Sequence, residues 1–578
     1  MEQDIVIEKA SFTYSGSTRP AIRNIELTVN KGEVVMITGP SGAGKTTLCR
    51  LLNGFIPHFF RGKFSGRVMV KGHNTRRVTI SFLSRIVGLL FQDPASQLVC
   101  PTVEDEVAFG AENYGVPPEE IKRRVDESLK VTRLEKYRSQ NPHRLSGGEQ
   151  QACALASIMA MRPEIYVLDE PTSNLDPIGS ERVLNLIVSL AKKEKHTMLI
   201  VEHKMEELFP FVDRVIVMNN GEIILDGKPR EIVENVGLME KIGLKPPQVS
   251  LLAYKLREKY PDIPIPMTLE EAVDIFSGLL EKAGARGEAV PIAQTEKAEE
   301  RSKSEPIIRT EGLWHIYPGG TVALRDVDLE IYEGEFIAII GQNGSGKTTL
   351  VKHFNGLLKP TKGKVYVYGV DTTTTTVANL SKRVGYCFQN PDFQLCNRTV
   401  REELEFGPRN LKLPEEEIKR RVENVVKIMG FEGLLDENPF SLSKGERQKL
   451  AVASILTMEP DVLIVDEPTT GQDYKTGREM MEFYRKLNQR GKTIIVITHD
   501  MNLAAEYARR VVVLREGRVI LDGPTRLVYS KTKELESTYL KAPQVTRLFQ
   551  RLSKYGLPPD VLTVDEALEY MMKALGGE

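Results

Sequence analysis

The stretch EVVMITGPSGAGKTTLCRLL, Glu33 to Leu52, decides the fold. It opens on an apolar run without polar alternation, as a strand covered on both faces requires, and closes on a helix-forming run. Between them lies a glycine-rich turn of the pattern GxxxxGKT. Glycine lets successive backbone N–H groups close around an anion, and the N-terminus of the following helix favours negative charge. Gly39, Pro40, Ser41, Gly42, Ala43, Gly44, Lys45, Thr46 and Thr47 therefore read as a phosphate cradle, with Lys45 aimed at the phosphates and Thr46 at a Mg²⁺ ion.

The stretch returns 302 positions later as EFIAIIGQNGSGKTTLVKHF, Glu335 to Phe354. A second cradle is thus expected at Gly341, Gln342, Asn343, Gly344, Ser345, Gly346, Lys347, Thr348 and Thr349. One strand–helix turn of chance composition is conceivable, but two with the full pattern and an apolar strand before each are not. The duplication continues down the chain. FQDP at Phe91 returns as FQNP at Phe388, VLDEPT at Val167 as IVDEPT at Ile464, and His203 as His499. The tails repeat as well, PPQVSLLAYKL from Pro246 matching APQVTRLFQRL from Ala542. A missed repeat miscalls a fold, so this one sets the organisation. Two α/β domains of P-loop nucleoside triphosphatase type stand in tandem at 1–230 and 306–526. Each carries a helical signature subdomain and a small C-terminal appendix, at 231–282 and 527–578. The segment 283–305 is charged and poor in large apolar residues, so it reads as a flexible linker able to span on the order of 25 Å as a coil.

Composition narrows the partners. The 578 residues are 41% hydrophobic and 27% charged with a net charge of −1, which offers no general basis for binding nucleic acid. The five cysteines have no CxxC spacing, so neither a disulfide framework nor a zinc or iron–sulfur site is indicated. Apolar runs such as FIAII, Phe336 to Ile340, fall far short of the ~18 residues that cross a bilayer. The run Thr372 to Thr376 reads as a loop beside the following strand.

Further groups recur in register at strand ends. IYVLDE (Ile165–Glu170) and VLIVDE (Val462–Glu467) are apolar strands ending in two acids, at the edge where α/β sheets bind ligands. Asp169 and Asp466 suit the Mg²⁺ shell, and Glu170 and Glu467 suit polarising an attacking water. His203 and His499 end TMLIVEH and TIIVITH, where an imidazole can hold the γ-phosphate and the water. Gln92 and Gln389 end IVGLLFQ and RVGYCFQ, where a neutral amide can reach Mg²⁺ or the water. Tyr14 and Tyr317 lie upstream, placed to stack on a base or simply to pack in the core. LSGGEQ and LSKGERQ begin helices with a capping box, Ser146 with Glu149 and Ser443 with Glu446. Ser146, Gly147, Gly148, Ser443, Lys444 and Gly445 then offer a helix N-terminus to an anion.

P-loop, Gln, LSGGE, DE and His in this order resemble the ATP-binding cassette ATPases over nearly the whole chain, in two copies. The resemblance implies a head-to-tail dimer made by the two halves of one chain, each ATP lying between one half's P-loop and the other's signature. Ser173 to Asp176 and Thr470 to Asp473 match the loops that cross such an interface, TGQD departing from the usual pattern. FQDPASQLVCPTVEDEVAFG and FQNPDFQLCNRTVREELEFG, with the PQV tails, resemble the ATPases of energy-coupling-factor importers of cobalt, nickel and B vitamins. This second resemblance implies a transmembrane scaffold subunit docked on the segments after each Gln and a separate substrate-binding membrane subunit. It also implies a peripheral location on the cytoplasmic face of the membrane. Arg398 stands where the first docking segment has Pro101, so the resemblance does not require the two grooves to be equivalent.

The rival reading is a soluble twin-cassette ATPase of translation, ribosome recycling or DNA repair. Those carry a cysteine cluster, CxxC insertions or a long charged helical linker, none of which is present. A structural clamp without turnover is disfavoured by Glu170 and Glu467 together. Lys444 stands where the first copy has Gly147; a cation in a helix's first turn costs about 0.3–1 kcal/mol, which a phosphate at the first P-loop would offset, so that site is expected to keep working.

Overall fold

The structure, a computed structural model, describes residues 2–172, 175, 177–194, 196–285, 287, 305–469 and 474–576. Ser173, Asn174, Asp176, the loop 470–473 and most of the linker lie outside the described residues, as does the side chain of Lys444. The chain divides into two compact units, Met1–Gly284 together with Met571–Glu578, and Ala285–Tyr570.

In the first unit a six-stranded sheet runs in the order Glu222–Gly227, Arg214–Asn219, Val34–Thr38, Thr197–Val201, Ile165–Asp169, Val87–Leu90. Every neighbouring pair is parallel except the terminal hairpin of Glu222–Gly227 on Arg214–Asn219. The second unit repeats the order with Arg518–Pro524, Arg510–Arg515, Phe336–Gly341, Thr493–Ile497, Val462–Asp466 and Val384–Cys387. A four-stranded antiparallel sheet covers one face in each unit, built on Gln3–Tyr14 in the first and Ile308–Ile316 in the second.

The unbroken apolar runs follow from burial on both faces. Along Phe336–Gly341, Ile337 and Ile339 pack with the antiparallel sheet, while Phe336, Ala338 and Ile340 pack with the helices on the opposite face. The helical subdomains are Val103–Asn113, Pro118–Thr132 and Gly147–Met161 in one unit, and Val400–Asn410, Glu415–Met429 and Lys444–Leu456 in the other. The appendices are short helices, ending with Gln248–Leu256 and Leu269–Lys282, and with Gln544–Arg551 and Val564–Ala574.

Thr372 to Thr376 corrects the sequence reading. Asp371 caps a 3₁₀ turn at Thr372–Thr374, and Thr376 caps the helix Val377–Leu380 by accepting from the Asn379 amide. Short hydroxyl side chains favour such caps, so the run is a turn followed by a helix start, with a helix rather than a strand next.

Candidate functional site

Strand order places the site. The strands that precede Lys45, His203, Glu170 and Gln92 are successive neighbours, and being parallel they bring all four groups to one sheet edge. The second unit does the same for Lys347, His499, Glu467 and Gln389.

The phosphate cradles need their glycines. Gly44 and Gly346 precede the helices Lys45–Leu52 and Lys347–Phe354 at φ of 100° and 101°. A Cβ at either would lie 2.5 Å from a backbone oxygen, that of Ala21 or Ala323. Each lysine curls back onto its own loop. Lys45 Nζ donates to the carbonyls of Gly39 (2.8 Å) and Pro40 (3.0 Å), and Lys347 Nζ to those of Gly341 (2.9 Å) and Gln342 (2.7 Å). An ammonium so tethered has little rotamer freedom left to lose when an anion enters the loop.

The carboxylate pairs are set differently from one another. Asp169 and Asp466 end their strands almost fully buried. Thr46 donates to the Asp169 carboxylate, and Thr348 Oγ1 to Asp466 Oδ2 at 2.9 Å. Burial pushes the Asp169 carboxyl up to about 6, with the Thr46 hydrogen bond opposing it and the Glu170 charge adding to it. Burial raises Asp466 too, against hydrogen bonds from Thr348 and Tyr386. Oδ1 of each aspartate is buried with no hydrogen-bond partner among the described residues. A buried carboxylate oxygen left in this state suits a hard cation, which takes oxygen donors, and the adjacent threonine hydroxyl is a second such donor.

Glu170 and Glu467 follow at φ of 50° and 48°, a left-handed conformation that only a few per cent of non-glycine residues adopt. Backbone bonds from their amides to Val201 O (3.0 Å) and Ile497 O (2.9 Å) hold the turn. Gln92 Nε2 donates to Glu170 Oε2 at 2.7 Å, and His203 Nε2 lies 3.2 Å from Glu170 Oε1. Gln389 Nε2 donates to Glu467 Oε2 at 2.9 Å, with His499 Nδ1 at 3.4 Å from that oxygen. Glutamate, glutamine and histidine are therefore brought together in both units.

Tyr14 and Tyr317 point their hydroxyls at Thr47 Oγ1 (3.2 Å) and Thr349 Oγ1 (3.1 Å). This places both rings against the helix that follows each cradle. Arg50 donates to the Tyr14 hydroxyl at 3.1 Å and stacks on Phe60, 4.3 Å from its centroid. The signature residues sit where their capping boxes predict. Ser146 and Ser443 donate amide and hydroxyl to Glu149 and Glu446, and Gly147, Gly148, Lys444 and Gly445 form the first turn behind them. Ser41, Gly42, Ala43, Asn343, Gly344 and Ser345 complete the cradles, Ala43 and Ser345 buried in them.

Two pairs escaped the sequence reading. Glu106 and Glu403 are buried inside amphipathic helices, and each carboxylate accepts from backbone amides of the segment after the Gln. The bonds are 2.7 Å from Val99 and Cys100, and 2.9 Å from Cys396 and Asn397. Gln97 and Gln394 brace the same segments by accepting from the Phe91 and Phe388 amides at 3.2 and 3.3 Å. Their recurrence in both halves was the available signal.

Fold and site define a P-loop nucleoside triphosphatase with two sites. The chain belongs to the ABC transporter family, whose pattern it matches at residues 22–173 and again at 324–470. It is 45% identical over 554 residues to an ABC transporter ATP-binding protein of Caldanaerobacter subterraneus subsp. tengcongensis, covering 96% of this chain and 97% of that one. It is 41% identical over 572 residues to an ABC transporter ATP-binding protein of Methanosarcina mazei, covering 98% and 96%. Among solved structures it is similar to CbiO1 of Clostridium perfringens, part of the ABC transporter complex CbiONQ. That match has 38% identity over 43% of this chain and 100% of that one, with a TM-score of 0.38. The chain is an ATP-binding, ATP-hydrolysing component of an ABC transporter, and among its described residues no helix is long and apolar enough to cross a membrane.

Proposed function

We propose that this chain is the ATPase subunit of an energy-coupling-factor importer for a metal ion or vitamin, working from the cytoplasmic face of the membrane. It would act on a transmembrane scaffold subunit, with a separate membrane subunit recognising the solute. Its cassette bodies are 1–230 and 306–526, joined by the linker 283–305 and followed by the appendices 231–282 and 527–578. In this reading the two cassettes pair head to tail, so that Ser443, Lys444 and Gly445 cap the nucleotide on the first P-loop and Ser146, Gly147 and Gly148 that on the second.

Each site works through its own residues. Lys45 and Lys347 neutralise the β- and γ-phosphates, the loop amides hold them, and Tyr14 and Tyr317 pack against the adenine. Mg²⁺ would be held by Thr46, Asp169 and Gln92, or by Thr348, Asp466 and Gln389, and when bound would supply charge neutralisation on the phosphates. The orphaned Oδ1 atoms of Asp169 and Asp466 support that assignment. Glu170 and Glu467 orient the attacking water and take its proton, while His203 and His499 keep the glutamate and the γ-phosphate in line.

Coupling to a membrane partner is carried by one observation. The segments after Gln92 and Gln389 expose large apolar side chains, Phe393 at 81% and Val99 at 67%, although buried glutamates fix their backbones. A rigid loop presenting an apolar side chain suits a docked partner helix. Charge reversal at Glu104 or Arg401 is a poorer probe of docking, because Glu104 pairs with Arg138 at 2.6 Å and Arg401 with Asp436 at 3.7 Å inside their own unit. Val99→Asp and Phe393→Asp should strip the chain from a co-expressed polytopic partner while basal ATP hydrolysis stays within about twofold. Retained co-purification with both changes would remove the docking role.

A further inference from the structure

The two aspartates that face the proposed Mg²⁺ sites are not held alike. Tyr386 lies on the strand Val384–Cys387 with its side chain buried, and its hydroxyl donates to Asp466 Oδ2 at 2.8 Å. Thr348 Oγ1 donates to the same oxygen, so Oδ2 carries two donors and Oδ1 carries none. The matching residue in VGLLFQ is Leu89, which has no polar group to offer Asp169.

The torsion that turns an aspartate carboxylate is broad and roughly two-fold, so one donor leaves the group room to swing. Two donors from different elements, the strand and the P-loop helix, fix its plane. The tyrosine hydroxyl is itself buried, and losing its acceptor would leave it unsatisfied, so the bond persists. The ring packs edge-on against Phe388 with centroids 4.9 Å apart, which further restricts the tyrosine.

We propose that Tyr386 is a positioning residue that turns Asp466 Oδ1 toward the divalent cation, and that the second P-loop's site therefore takes Mg²⁺-nucleotide more tightly than the first. The inference rests on the reading that Asp169 and Asp466 face Mg²⁺. Hydrogen bonds behind a metal-facing carboxylate set its orientation, and removing one typically weakens the metal by about 10- to 100-fold.

The full chain carrying Asp169→Asn retains one ion-facing aspartate. It is titrated with Mn²⁺ in the presence of a non-hydrolysable ATP analogue, free Mn²⁺ being read by electron paramagnetic resonance. Adding Tyr386→Phe should weaken Mn²⁺ at the remaining site about tenfold, with the analogue's metal-free affinity and the thermal midpoint unchanged. Mn²⁺ affinity unaltered by Tyr386→Phe overturns the proposal. So does a drop that tracks equal losses in metal-free analogue affinity and thermal midpoint, because that pattern describes a packing residue. Failure of the underlying reading looks different. Mn²⁺ binding that survives Asp169→Asn combined with Asp466→Asn, with Tyr386 intact, would overturn the site assignment and the proposal with it.

Discussion

The two candidate nucleotide sites agree in the groups gathered at the sheet edge and diverge one layer beneath. Both lysines bond the same two loop carbonyls, both glutamates take the same left-handed turn, and both glutamines donate to them. Under the cradles the first unit has Phe12 and Leu51, fully buried. The second has His315 and His353 with ring nitrogens 3.2 Å apart, and burial pushes His353 down to about 4 so that it stays neutral. Pro40 cannot donate. Gln342 in its place donates to Thr538 O at 2.8 Å, tying the second P-loop to the appendix helices of its own unit. The difference teaches that residue choice is constrained more tightly at the groups proposed to meet the ligand than in the layer behind them, where Tyr386 is the residue proposed to act through one of those groups.

That contrast can be broken most forcefully at the glutamates. Glu170→Gln combined with Glu467→Gln should lower steady-state ATP turnover by about 10²- to 10⁴-fold with nucleotide binding retained, since a positioned general base contributes that much. Turnover within tenfold of the parent would mean that the matched layer is not the reacting one.

A sharper view of the supporting layer comes from stability. Arg510 is 5% exposed, donates to both Asp522 oxygens at 2.6 Å and pairs with Glu335 at 3.0 Å. Arg214, in the same place in the first unit, makes the matching two bonds to Asp226 at 2.5 Å but is 25% exposed and sits 3.4 Å from Glu33. Arg510→Met should cost about 3–5 kcal/mol, as removing one partner of a buried pair does. Arg214→Met should cost about 1.5–3 kcal/mol, the value of hydrogen bonds to a charged group. Denaturant unfolding of each variant measures both, and equal costs would erase the predicted asymmetry.

The smallest effect belongs to Lys444. In a Glu467→Gln background, Lys444→Gly should change ATP affinity at the first P-loop's site by no more than the ~0.3–1 kcal/mol of a first-turn charge, toward weaker binding. Tighter binding or much faster turnover would show that the lysine impedes this site.

Much of this was legible in the amino-acid order. GxxxxGKT, the paired acids at strand ends and the repeat follow from backbone geometry and phosphate chemistry, which restrict residue choice strongly. Glu106 and Glu403 were hidden because a glutamate among charged neighbours on a helix reads as a solvated face, whereas here it folds back onto amides of the turn just before its helix. Tyr386 stood in plain view in VGYCFQ. That it reaches Asp466 depends on strand register, since its partner across the ladder is Ile464 and the hydroxyl extends two residues beyond. The Thr372 to Thr376 run was misread because composition marks a loop but not the cap that ends it.

The central claim is that one chain holds two separate phosphate sites, one at Lys45 and one at Lys347. Equilibrium binding of ATP to the full chain tests it directly. The parent should bind two nucleotides, Lys45→Ala and Lys347→Ala should each leave one, and the double variant should bind neither with comparable affinity. Undiminished affinity in the double variant would contradict the account.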